Sequence, residues 1–281
     1  MMKSNFLDRF THVDMLDGSL WDKLLIFSIP LALTGMIQQL FNAADILTLG
    51  HFVDDFAVAA VGNNIPVIGL VVALFMGISI GANVVVARYL GMKDYQNANS
   101  AVHTALIMAF YLGIIIVILG EALSSYTIQL MDVPESVREP ALEYLQVYMA
   151  GLPFFRSNGD TSTPLIVLIQ ASILNIAGNI LMVSAFSLGI IGVALSTTIA
   201  NAVAAGLLFI RLQHSKTVLK IEISKLTVPD LRKLRAITMI GLPAGIQGMV
   251  FSLSNFVIQS AINSLGADVM AGSAAAFTLE I

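Results

Sequence analysis

Asp45 is a carboxylate in a costly place, an acid well inside an apolar run rather than at its end. A charge in hydrocarbon is expensive, so it must face protein or water. Gln38, Asn42 and Asp45 are spaced four and three apart, which stacks them on one helical face. A desolvated carboxylate that switches between neutral and ionised forms is what proton coupling requires. Two further polar sets recur at helical spacing, Ser172, Asn175 and Asn179, and Thr197 with Asn201. Within a membrane such side chains either bond helix to helix or line a cavity. The stripe Ser252, Asn255, Gln259, Asn263 repeats the pattern later, with Gln247 as a further cavity candidate. His103 reads as an interfacial residue and Glu280 as solvated. No other chemistry is on offer. The chain has no cysteine, its four histidines are not paired at ligand spacing, and no Asp-x-x-x-Asp occurs. That excludes thiolate chemistry, a metal centre and a prenyltransferase-like enzyme, so no catalytic residue is expected. A net charge of −4 excludes a polybasic nucleic-acid binder.

The elements that must position these residues are membrane helices. Of 281 residues, 57% are hydrophobic and 11% charged, against about 25% charged in a soluble domain. The expected fold class is all-α, a polytopic transmembrane bundle. Runs free of Asp, Glu, Lys and Arg cover 24–44, 56–87, 95–120 (helical from about Ala101), 161–210, 236–267 and 269–279. The 161–210 run holds two helices, broken at Phe186-Ser187-Leu188-Gly189. A fourth helix is expected over 138–155, although its charge-free core of 144–155 is too short to span alone. The basic residues decide that it crosses. Thirteen of the fourteen lie before helix 1, after helices 2 and 4, or between helices 6 and 7, so the N-terminus is expected in the cytoplasm. The first apolar run is a retained helix rather than a cleaved signal. The segment before it is amphipathic.

An internal repeat organises the chain. At an offset of 213 residues Ile29-Pro30 meets Leu242-Pro243, and Gly35, Met36, Asn42 and Asp55 meet Gly248, Met249, Asn255 and Asp268. The first unit has six helices, an even number, so the second begins in the same orientation as a parallel repeat. The expected organisation is a cytoplasmic segment over 1–23, a six-helix lobe over 24–210, a solvated cytoplasmic linker over 211–235 and an incomplete second lobe over 236–281. A twelve-helix chain broken off after the start of helix 8 is the expectation.

These residues resemble the MATE family of multidrug and toxic-compound exporters. The similar stretches are Ile29-Pro30 with Gln38-Gln39-Leu40-Phe41-Asn42-Ala43-Ala44-Asp45, Ala59-Ala60-Val61-Gly62, Gly77-Ile78-Ser79-Ile80-Gly81-Ala82, Gly151-Leu152-Pro153, Arg156-Ser157-Asn158-Gly159-Asp160, Ile173-Leu174-Asn175 and Gly192-Val193-Ala194-Leu195-Ser196-Thr197. The resemblance implies two six-helix lobes around a central cavity. It implies antiport of organic, often cationic compounds against H⁺ or Na⁺ by alternating access in a bacterial-type plasma membrane. The acid in helix 1 is similar to the proton-coupled branch. On this reading Asp45, Asn42, Asn175, Asn179 and Thr197 form the ion-coupling set, and Gln38, Asn201, Gln247, Asn255 and Gln259 face substrate. No cofactor beyond the coupling ion is expected, and the full-length protein is expected to be monomeric. The alternatives are a lipid-linked saccharide flippase of related fold, disfavoured by the lack of Lys or Arg inside any span, and a non-transporting fragment. The sequence departs from the family where Phe155 runs straight into Arg156, where Asn179 replaces an Asp, and where Phe41 replaces a Tyr.

Overall fold

The computed structural model describes residues 20–151, 164–215 and 219–279. Among them are eight α-helices: α1 (Leu20–Phe52), α2 (Asp55–Gly91), α3 (Tyr95–Leu130), α4 (Glu135–Gly151), α5 (Pro164–Ile180), α6 (Gly189–Gln213), α7 (Leu231–Asn263) and α8 (Ala267–Leu279). A π-turn over Leu181–Ala185 closes α5, and a 3₁₀ turn, Ile223–Lys225, lies between α6 and α7. The fold class is the all-α bundle expected. Five segments, in α2, α3, α5 with its π-turn, α6 and α7, are long and apolar enough to cross a membrane.

Several helix ends fall beyond the charge-free runs, because a run stops at the first charge whereas a helix stops at a cap; α7 instead ends at Asn263, inside the run to 267. Asp54 accepts from the Ala57 N–H at 2.8 Å and starts α2. Asp94 accepts from the Asn97 N–H at 3.2 Å, so α3 begins at Tyr95 rather than near Ala101. It continues through Glu121 and Ser124 to Leu130, past the expected end at Gly120. The described part of helix 4 runs Glu135–Gly151, starting three residues before the expected 138, and the expected end at 155 lies outside the described residues. Its 17 residues reach about 25 Å at ~1.5 Å each. The expected sharp return near Arg156, the amphipathic N-terminal segment and Glu280 lie outside the described residues.

Leu49, Ile128, Met131, Val133, Val137, Leu145 and Met149 are all fully buried and form one core between α1, α2, α3 and α4. α2 is the central helix, packing on α1, α3, α4, α7 and α8. Its contact with α7 is far more extensive than its contact with its own neighbour α1. The seam is backbone to backbone. A Cβ on Gly77 would collide with Gly241 O and the Gly245 backbone, and one on Gly81 with Ile237 O. Small residues permit this approach, and dispersion between two close backbones rewards it.

In the linker between α6 and α7, Ile223, Ser224, Lys225, Thr227 and Val228 are exposed. Ile221 is buried, and His103, expected at the interface, is buried beneath the same segment.

Candidate functional site

α5 and α6 carry polar groups one or two turns apart on the faces they turn to α1. Asn175 and Asn179 are four residues apart on α5, and Thr197 lies across from them on α6. Gly178 allows the two helices to meet here, because a Cβ on it would overlap Ser196 Oγ. That hydroxyl donates to the Asn175 carbonyl at 2.9 Å, an acceptor inside α5 itself.

Asp45 of α1 completes the cluster. Its Oδ1 accepts from Asn179 Nδ2 at 2.6 Å and its Oδ2 from Thr197 Oγ1 at 3.0 Å. Asn175 Nδ2 donates to Thr197 Oγ1 at 3.0 Å, and Asn179 Nδ2 reaches Asn175 Oδ1 at 3.3 Å. All four side chains are buried, with Asp45 only 4% exposed. The donors to the carboxylate are neutral, so no ion pair offsets its desolvation. Neutral hydrogen bonds compensate only part of that cost. Asn179 Oδ1 is buried beside the carboxylate with no hydrogen-bond partner among the described residues. The two protonation states of Asp45 can both be bonded. Thr197 can donate to the carboxylate, or accept from a carboxyl by turning its own hydroxyl.

The other expected site residues are not brought to Asp45. Asn42 is exposed, and its amide donates to Gln39 Oε1 at 3.2 Å. Asn201, half-buried, donates to the Thr197 carbonyl at 2.7 Å, which places it one turn along α6 from the cluster. Gln38 and Gln247 are exposed and Asn255 is half-buried. Gln259 donates to Asn263 Oδ1 at 2.9 Å, and Asn263 in turn donates to Asn63 Oδ1 and to the Met131 carbonyl, both at 2.8 Å. These two residues therefore belong to a second buried network that ties the end of α7 to α2 and to the α3–α4 turn.

Three buried polar residues lie outside the set that the sequence offers. Tyr144 of α4 is buried and stacks at a tilt on Tyr148, 5.7 Å between ring centres. Its helix carries Glu139 and Glu143, which interrupt the apolar run and mask the buried face in the sequence. Asn63 and Asn64 of α2 are fully buried, and Asn64 Nδ2 donates to the Ala141 carbonyl at 2.8 Å. The adjacent Asn-Asn pair inside an apolar run was the available signal.

A bundle of apolar helices with a solitary buried carboxylate among neutral donors defines a polytopic membrane protein with an internal polar site. The MatE family matches residues 30–181, more than half of the sequence, and the chain belongs to that family. It is similar to the probable multidrug resistance protein YoeA of Bacillus subtilis, 26% identical over 90% of this chain and 58% of that protein. It is also similar to the multidrug export protein MepA of Staphylococcus aureus, 23% identical over 90% of this chain and 58% of MepA. Among solved structures, an inward-facing multidrug resistance MATE family transporter of the MOP superfamily superposes with a TM-score of 0.76 at 24% identity, covering 89% of this chain and 59% of that one. An outward-facing form superposes at 0.72, over 82% of this chain and 53% of that one, with 25% identity. The chain thus spans under two thirds of the length of these relatives.

Proposed function

We propose that the chain supplies the ion-coupling lobe of a secondary exporter that moves organic, often cationic compounds against H⁺ or Na⁺ by alternating access. The observation that carries this reading is the burial of Asp45 where three helices meet, bonded by neutral donors and without a counter-charge among the described residues. Such a group has a reason to take up a cation, and a proton is the smallest demand on the site. Protonation requires only that the Thr197 hydroxyl turn. A sodium ion would use the Asp45 carboxylate, Thr197 Oγ1 and the unpartnered Asn179 Oδ1 as hard oxygen ligands, and would require the Asn179 amide to rotate its nitrogen away from Asp45. The names of YoeA and MepA support export of drug-like compounds as the class of cargo.

The test uses a version that carries both complete lobes, reconstituted in proteoliposomes. Drug efflux is measured against an imposed pH gradient and, separately, an imposed Na⁺ gradient. Efflux driven by the pH gradient alone supports proton coupling, and efflux that needs Na⁺ supports the oxygen-ligand reading. Efflux indifferent to both gradients overturns the assignment of Asp45 as the coupling group.

A further inference from the structure

The stretch 220–230 that leads into α7 is strapped across the first turns of α3 by three hydrogen bonds. Asn99 Nδ2 donates to the Lys220 carbonyl at 2.9 Å, the Glu222 N–H donates to His103 Nε2 at 2.9 Å, and the Asp230 N–H donates to Thr104 Oγ1 at 3.1 Å. Ile221 is 1% exposed between the first two, and its own N–H bonds the Leu212 carbonyl at 3.2 Å. Asp230 is also the N-cap of α7, accepting from the Arg232 and Lys233 N–H groups. The strap thereby fixes where α7 begins. At 36 residues, α3 is about 54 Å long at ~1.5 Å per residue. That exceeds a ~30 Å hydrocarbon core, and the charged residues Lys220, Glu222 and Asp230 whose backbones bond its first turns put that end in the aqueous margin.

The bonding settles the state of the buried His103 ring. Nδ1 lies 2.8 Å from the Asn99 carbonyl, which can only accept, so Nδ1 carries the proton. The Glu222 N–H can only donate, so Nε2 is bare. The strap is docked on a neutral ring in one tautomer. A proton on Nε2 would replace the acceptor with a donor and set two N–H dipoles against each other at hydrogen-bond distance. We propose that His103 is a proton-sensitive catch that holds the α6–α7 strap on α3, and that acidification of the side on which the strap lies releases it. Docking and ring protonation exclude each other. By linkage, acid shifts the equilibrium toward the released strap.

The charged groups around the ring do not supply this transition themselves. Glu222 on the strap interacts with His103, and Lys220 and Lys225 on the same strap interact with Glu222. Asp230 and Lys233 come from the start of α7, and Asp94 comes from the α2–α3 turn, where Lys233 acts on it. Lys225 holds the Glu222 carboxyl below its usual range, and the Asn97 side chain and backbone N–H do so for Asp94. Burial pushes Asp230 up, but the Arg232 and Lys233 N–H groups outweigh it and leave this carboxyl low as well. All three stay ionised between about pH 5 and pH 8, the interval in which histidine titrates.

The chain has no cysteine, so Ser224→Cys places a single spin label on the exposed 3₁₀ turn of the strap. The labelled protein is studied in lipid nanodiscs, with carbon-13 histidine reporting ring state by NMR in the same samples. The His103 signal is identified by its absence in His103→Gln. The expected result is an ordered label and an Nδ1–H ring at pH 8, and a mobile label and a doubly protonated ring at pH 5. The docked-to-released ratio should fall about tenfold per pH unit through the transition. In His103→Gln the amide oxygen can accept from the Glu222 N–H but cannot titrate, so label order should not follow pH. A label as ordered at pH 5 as at pH 8, or a ring that takes its proton while the label stays ordered, overturns the proposal. So does a His103→Gln strap that loosens over the same range. If glutamine does not dock at all, the paired measurements on the protein with His103 decide alone.

Discussion

At the scale of single residues, the charge on Asp45 depends on groups that cannot neutralise it. Asp45→Asn keeps a side chain able to accept from Asn179 and to bond Thr197, but it cannot bind and release a proton. In a version with both lobes, pH-driven efflux from proteoliposomes should be abolished. The melting temperature should hold or rise, because a neutral isostere removes the desolvation cost. Undiminished coupled efflux would remove Asp45 from the proton path. Asn179→Asp tests the same contact from α5. It places a second carboxylate 2.6 Å from the first, and two such groups cannot both be ionised. The pair should share a proton, and the pH optimum of efflux should move upward; an unmoved optimum would show that the two side chains titrate independently. The sequence made Asp45, Asn175, Asn179 and Thr197 legible because a polar side chain in hydrocarbon must find a partner. It could not separate Asn42 from that set. Three residues apart is 60° short of a full turn, and which side of α1 meets α5 and α6 is decided by packing rather than by spacing.

Among the elements, the α2–α7 seam is the contact least tolerant of added volume. Gly77→Ala inserts a Cβ against the Gly241 carbonyl and the Gly245 backbone, which cannot yield as a flexible side chain would. We expect a loss of about 1–3 kcal/mol from overpacking, read as a lower melting temperature in detergent. Gly206→Ala is the matched control, because nothing lies within 4 Å of a Cβ at that position. It should be neutral or gain about 0.5–1 kcal/mol from helix propensity. Equal losses at both positions would mean the seam is not close-packed. Apolar runs placed nearly every helix, and the break between α5 and α6 fell at Phe186–Leu188 as read. Helix ends were less legible. Asp54 and Asp94 look like interruptions in a charge count, yet their carboxylates satisfy the N–H groups that open α2 and α3. α4 hides its role for a related reason: its exposed face is acidic, while Tyr144, Leu145 and Met149 are buried.

For the molecule as a whole, the asymmetry of basic residues predicts sidedness. Single cysteines introduced at Ser215, after α6, and at Ser264, after α7, should react with an impermeant reagent from opposite sides of the membrane, Ser264 from outside. Labelling of both from outside would reject a cytoplasmic N-terminus. Matched Pro, Gly, Asn and Asp at the 213-residue offset are legible in the sequence, but the α2–α7 contact is not. An offset relates α1 to α7 without saying that α7 will lie on α2. That contact has a consequence for biogenesis. Roughly 150 residues separate Gly91, the end of α2, from Gly241 in the seam. Translation at about 5–20 residues per second takes roughly 8–30 s to cover them. Throughout that time the glycine face of α2 is already inserted while the helix that will cover it has not been made. The insertion machinery or surrounding lipid must shield an open backbone surface, and a ribosome stalled before α7 leaves the nascent chain with its central helix half-clothed.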